Sequence, residues 1–89
     1  TLFEMMNNGA LLLDVRTKKE YNAGHAKKSI NIPVAQIPAE YKTLDKEIPI
    51  VIVCESGARS AQVVRFVKKM GYKAYNGGGW RTFKDLDAN

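Results

Sequence analysis

The run Ile48-Pro49-Ile50-Val51-Ile52-Val53 limits what this chain can fold into more than any other segment. β-Branched residues in succession favour a strand, and an apolar run without alternation favours a strand covered on both faces. The run ends at Cys54, the only cysteine, and Glu55-Ser56-Gly57-Ala58-Arg59-Ser60 follows at once. From Ala61 to Met70, the spacing of Ala61, Val64 and Val67, with Val63, Phe66 and Met70 alongside, is that of an amphipathic helix. A buried strand therefore ends in a thiol, a glycine-containing loop follows, and a helix opens out of the loop. Backbone N–H groups at a helix start are unpaired and carry partial positive charge. A thiol held there is favoured as the thiolate. The order reads as an anion cradle with a nucleophile at its rim.

The rest of the chain supplies the elements such a strand needs around it. Leu2 to Asn7 reads as a short helix, stopped by Asn8-Gly9 with Gly9 as a left-handed cap. Ala10-Leu11-Leu12-Leu13-Asp14-Val15 is too short for a helix and reads as a second doubly covered strand. Thr17 and Glu20 have capping-box spacing for a helical turn through Tyr21, broken by Gly24. Ser29 to Ile32 reads as a short strand stopped by Pro33, and Ile37 to Tyr41 as a helical segment with Pro38 near its start. Leu44 to Glu47 reads as a turn and Gly71 as the cap of the long helix. Lys73-Ala74-Tyr75 reads as a brief last strand, Gly77-Gly78-Gly79 as a turn, and Trp80 to Leu86 as a terminal helix. Strands alternating with helices predict an α/β fold, a central, mostly parallel sheet flanked by helices on both faces. Ligands in such folds sit beyond the carboxyl ends of the strands. Asp14–Arg16, Cys54 and Gly77–Gly79 converge on that rim.

Eighty-nine residues are expected to make a single domain, 1–89. The chain begins at Thr1 rather than Met, so a processed protein or a piece of a longer one is expected. No run approaches the roughly 20 apolar residues of a membrane span. The expected compartment is the cytoplasm, with the periplasm after signal removal as the alternative. One cysteine excludes an internal disulfide, and the absence of His or Cys partners near it argues against a metal site. The net charge of +5 is carried largely by lysine pairs, Lys18-Lys19, Lys27-Lys28 and Lys68-Lys69. These read as a solvated surface rather than a nucleic-acid stripe.

Three groups of residues resemble the rhodanese family of sulfurtransferase domains. They are Asp14-Val15-Arg16 with Glu20-Tyr21, Gly24-His25 and Asn31-Ile32-Pro33; Cys54-x-x-Gly57-x-Arg59-Ser60; and Gly78-Gly79 with Trp80 and Phe83. The resemblance covers about Leu11 to Leu86. It implies a rhodanese-like fold and a loop cysteine, Cys54, that carries sulfane sulfur as a persulfide. The donor implied is thiosulfate, a persulfide or a polysulfide. The acceptor implied is a thiol, cyanide or a protein, with no cofactor. No nucleic-acid or membrane partner is expected, and the chain is read as a monomer. Two departures stand out: Ala26 follows His25 where the family has a larger aliphatic, and the family's short opening edge strand is missing.

The residues define the chemistry such a site would need. Sulfur transfer requires a thiolate and then donors around an anionic persulfide, with no general base. Backbone N–H groups from Glu55 through Ser56, Gly57, Ala58 and Arg59 to Ser60 are the candidate substrate-binding set, with Gly57 supplying the positive φ of the curl. The planar fork of Arg59 suits an oxyanion, though it equally suits facing outward or pinning the loop's own carbonyls. Ser60 reads as the N-cap of the following helix. Glu55 opposes a dianionic donor and raises a neighbouring thiol. Asp14 and Arg16 read as structural, with Arg16–Glu20 as a pair, and His25 likewise. Trp80 and Phe83 read as core, with Trp80 alternatively walling the cysteine pocket.

Three other readings compete. A sulfur-relay or redox module of a larger protein would show little activity on free thiosulfate. A phosphatase loop has five residues between Cys and Arg, where this chain has the four from Glu55 to Ala58. Arsenate reduction by such a loop is the third, while the intact Cys54 with its loop argues against a non-catalytic interaction domain.

Overall fold

The computed structural model describes residues 1–85. The elements run α1 (Leu2–Asn7), β1 (Leu11–Asp14), α2 (Lys18–Ala23), β2 (Ser29–Asn31), α3 (Ile37–Glu40), β3 (Ile50–Cys54), α4 (Ala58–Lys69) and β4 (Ala74–Gly79). Single 3-10 turns at Val34–Gln36 and Tyr41–Thr43 flank α3, and another at Trp80–Phe83 follows β4. The four strands form one sheet in the order β2-β1-β3-β4, with every pairing parallel. This is the α/β architecture the alternation of strands and helices requires.

β3 lies between β1 and β4, and each of its five residues is at most 1% exposed. Side chains alternate across the sheet, so Ile50, Ile52 and Cys54 join Leu13, Val63 and Val67 in one apolar cluster, with α3 and α4 above it. Val51 and Val53 join Leu12, Trp80 and Phe83 in a second cluster on the other face, closed by Leu2 and Met6 of α1. Burial on both faces is what an uninterrupted β-branched run anticipates. Fully burying one such aliphatic side chain contributes about 1.5–3 kcal/mol.

Several boundaries differ from the sequence expectation. The third strand includes Cys54 itself. The long helix starts at Ala58 rather than Ala61, with Gly57 as its N-cap at φ 102°. Ser60 is therefore inside the first turn, not the cap. The glycines of Gly77-Gly78-Gly79 are part of β4 rather than a turn. Asn76 lies opposite Ile52 and Gly78 opposite Val53, which leaves Gly77 as the extra residue of a bulge. The expected terminal helix is a 3-10 turn at Trp80–Phe83, and Leu86 lies outside the described residues. Among the described residues, no helix is long and apolar enough to cross a membrane.

Candidate functional site

Cys54 ends β3 and is 1% exposed. Its Sγ accepts the Gly57 N–H at 2.9 Å and the Ser60 N–H at 3.5 Å. The 12-residue helix α4 has no side-chain N-cap. The sulfur occupies that place, taking the N–H of the third helical residue as a capping oxygen would. Sγ lies 3.6 Å from Ser60 Oγ, the thiol donating while protonated and accepting from the hydroxyl once ionised. The Ser60 hydroxyl donates to Asn76 Oδ1 at 2.6 Å, with the Gly57 carbonyl as a second acceptor at 3.0 Å. Among the loop side chains, Glu55, Ser56 and Ala58 are exposed, Gly57 and Arg59 are half-buried, and Ser60 is buried.

β4 locks this loop in place. Asn76 Nδ2 donates to the Gly57 carbonyl at 3.1 Å, and Asn76 Oδ1 accepts the Gly78 N–H at 2.9 Å. Gly79 lies opposite Cys54, and a Cβ there would sit 3.0 Å from the Glu55 carbonyl oxygen. Only glycine lets β4 come this close to the loop.

The charges around the mouth are paired. Arg59 donates to Glu20 Oε1 at 2.7 Å and to Oε2 at 3.1 Å. It therefore points neither at an oxyanion beside the sulfur nor at the loop's own carbonyls. Glu20 also accepts the Thr17 N–H at 2.9 Å in the α2 capping box. The expected Arg16–Glu20 ion pair is absent among the described residues, because Glu20 offers Arg16 only its backbone carbonyl, at 3.3 Å. Arg16 instead grips Asp14 through Nε and Nη2, at 2.8–3.0 Å, with both side chains nearly fully buried. It also reaches the Gly24 carbonyl at 2.7 Å. Asn31 Nδ2 bonds the carbonyls of Asp14 and Arg16, both at 2.9 Å. Glu55 pairs with Arg81 and lies 3.9 Å from Arg16. His25 is exposed, stacked 3.8 Å from the Tyr21 ring, with Nδ1 2.8 Å from the Tyr21 carbonyl. Among the described residues, no group of His, Cys, Asp and Glu gathers to hold a metal ion.

The family model of the rhodanese-like domain matches residues 1–86. This chain belongs to the rhodanese-like domain family. The rhodanese-like chain is 36% identical over 62 residues to a sulfurtransferase of Allochromatium vinosum, covering 70% of this chain and 58% of that protein. It is 30% identical over 71 residues to a thiosulfate sulfurtransferase of Haemophilus influenzae, covering 80% and 68%. The solved human single-domain sulfurtransferase superposes with a TM-score of 0.76 at 28% identity, covering 99% of this chain and 91% of that one. The chain spans 63% and 34% of the length of two Bacillus subtilis relatives.

In this rhodanese-like domain, burial pushes the Cys54 thiol up. The N–H and hydroxyl of Ser60 and the N–H groups of Gly57 and Ser56 outweigh burial, and the thiol lies below its ordinary value. Arg59, and then the Thr17 N–H, lower Glu20 to about 2. Arg81 holds the Glu55 carboxyl below its usual range. Sequence reasoning missed Asn76 and Arg81. Asn76 sits in a strand that reads as ending at Tyr75. Arg81 carried no signal beyond its place after a tryptophan.

Proposed function

We propose that the chain is a sulfurtransferase, working as one domain over residues 1–89, with Cys54 as its persulfide-forming nucleophile. The observation that carries this reading is the sulfur at the end of β3, met by the N–H groups of Gly57 and Ser60 at the start of α4. Donors so placed hold a negative sulfur without needing a base. With thiosulfate, the Cys54 thiolate attacks the outer, sulfane sulfur. A new S–S bond forms at Sγ, the bond between sulfane and sulfonate sulfur breaks, and its electron pair leaves with sulfite. The anionic charge now rests on the terminal sulfur of Cys54–S–S⁻, next to the Sγ that the Gly57 and Ser60 N–H groups meet. Cyanide or a thiolate then attacks that terminal sulfur and returns the Cys54 thiolate.

Sulfur transfer is in keeping with the names of the relatives. A thiosulfate donor is supported by one of those names and opposed by the pairing of Arg59 with Glu20, which leaves the loop's own cation committed. That pairing favours a second reading, in which the sulfur comes from a persulfide on a partner and free thiosulfate is turned over slowly. Cys54→Ser should abolish thiocyanate production from every donor and leave the melting temperature near that of wild type. Mass spectrometry should show wild-type Cys54 gaining one sulfur. Comparable turnover by Cys54→Ser would overturn the assignment.

A further inference from the structure

The Cys54 loop is tied to β4 by one asparagine whose amide has a fixed orientation. Asn76 Nδ2 faces the Gly57 carbonyl at 3.1 Å, which only accepts, and Oδ1 faces the Gly78 N–H at 2.9 Å, which only donates. Turned the other way, the amide would set donor against donor and acceptor against acceptor. Oδ1 is therefore an acceptor, and Ser60 Oγ, 2.6 Å from it, gives it the hydroxyl hydrogen. A serine hydroxyl has only that one hydrogen. Cys54 Sγ stands beside the same oxygen, at 3.6 Å.

Neutral and ionised sulfur ask opposite things of this hydroxyl. A thiol gives its hydrogen to Ser60 Oγ, so the S–H, the O–H and the Asn76 carbonyl line up as one chain of hydrogen bonds. A thiolate has no hydrogen to give, and it competes with Asn76 Oδ1 for the one on Oγ. A hydrogen bond to a charged acceptor is the stronger, so the thiolate draws the hydroxyl over. The hydroxyl counts among the groups that hold the thiol below its ordinary value. The move strands no polar group. Asn76 Oδ1 keeps the Gly78 N–H, and the Gly57 carbonyl keeps the Ala61 N–H at 3.0 Å together with Asn76 Nδ2. The thiol's proton goes to solvent, and the O–H bond of Ser60 is not broken.

We propose that Asn76 is a positioning residue for the Cys54 nucleophile, a latch that holds the Ser60 hydrogen while the sulfur is neutral and yields it when the sulfur carries charge. This deepens the reading of Cys54 as the nucleophile of sulfur transfer. It rests on that reading for its purpose and on the ionisation of Cys54 for its test. The latch has a definite sign. Asn76 favours the neutral sulfur, because its bond to the hydroxyl is given up on ionisation. A mere prop for the loop would act the other way, since its loss would misplace the Gly57 and Ser60 N–H groups that favour the thiolate. The charged groups on the neighbouring elements are committed elsewhere: Arg59 of α4 to Glu20 of α2, Arg16 to Asp14 at the end of β1, and Glu55 of the loop to Arg81. None of these pairs includes Asn76 or Ser60.

The test is the pH midpoint of Cys54 alkylation by iodoacetamide in the full chain. Asn76→Ala should lower it by about 0.5–1 pH unit, the worth of one hydrogen bond. In a Ser60→Ala background the same substitution should move it by less than about 0.2 pH unit. A midpoint that rises or stays in Asn76→Ala, or that falls equally with and without the Ser60 hydroxyl, overturns the latch. Should Asn76→Ala fail to fold, proton–nitrogen NMR spectra of wild type and Ser60→Ala decide the matter. The Asn76 side-chain amide and the Gly78 N–H should shift with the Cys54 midpoint in wild type, and at most about half as far in Ser60→Ala, where only the charge of the sulfur is felt. Equal shifts in the two proteins overturn the latch. Mass spectrometry of wild-type Cys54 after thiosulfate or ethyl hydropersulfide keeps the two readings apart. Midpoints as expected, in a protein whose Cys54 gains sulfur from neither donor, support the latch and overturn sulfur transfer.

Discussion

Two opposed pressures act on the Cys54 thiol. Burial disfavours the ionised form, while the N–H and hydroxyl of Ser60 and the N–H groups of Gly57 and Ser56 favour it, and the donors prevail. The midpoint of Cys54 alkylation against pH should therefore fall below the ordinary thiol value of about 8.5. Ser60→Ala keeps the backbone donor and removes the hydroxyl, along with its bonds to Asn76 and the Gly57 carbonyl. Its midpoint should move up towards the ordinary value. Stopped-flow alkylation with iodoacetamide across the pH range checks both, and an unmoved midpoint in Ser60→Ala would remove the hydroxyl from the argument. A depressed thiol also adds to stability in one direction only. The contribution is full above the unfolded thiol's pKa and is lost as pH falls through the folded one.

At the level of elements, β4 sets the geometry of the loop through its bulge. A Cβ on Gly77 would lie 2.8 Å from Val51 Cγ1, 2.9 Å from Val53 Cγ1 and 3.0 Å from Phe83 Cε2. Gly77→Ala forces those side chains or the bulge to shift, and should cost about 1–3 kcal/mol in denaturant titrations. A midpoint equal to that of wild type would show the bulge relaxing freely. This region is also where the sequence is least legible. Ile50 to Val53 shows its strand in its own composition, because β-branching and double burial are local signals. Thr17 and Glu20 show their cap for the same reason, and the helix stripe of Val63 and Val67 is visible by its period. Three consecutive glycines carry no such preference. They read as a turn, whereas close approach to the Glu55 carbonyl and to the β3 side chains draws them into the sheet. The start of α4 was displaced in a similar way. Ser60 has the chemistry of a cap, but Gly57 turns the chain three residues earlier and the sulfur does the capping.

Across the whole molecule, the charges pair between distant segments. Arg59 and Glu20 are 39 residues apart in the chain, and nothing in either local sequence announces their bond. The same holds for Glu55 with Arg81, 26 residues on. The path of the chain through Cys54 was legible in the order of strand, cysteine, loop and helix, and the destinations of the surrounding charges were not. The Glu20 pair ties α2 to the first turn of α4, and its pH dependence follows from the sign of the shift. Glu20 is lowered to about 2, below its unfolded value, so its contribution is present above about pH 4.5 and is lost as pH falls towards 2. Glu20→Gln keeps a capping-box side chain but not the charge pair. It should be less stable than wild type near neutrality by at most about 1 kcal/mol, with the difference closing in acid. Urea midpoints of both proteins between pH 2 and 7 test this, and a gap that widens in acid would contradict it.

The sulfur of Cys54 is held by main-chain N–H groups, while the side chains of Glu55, Ser56 and Ala58 stand outside in water. What lowers the thiol is therefore written into the path of the backbone and one buried hydroxyl, that of Ser60, and what a molecule meets on approach is written into a few exposed side chains. The two can be inherited separately. Those outer residues can be exchanged while the sulfur beneath keeps the same environment.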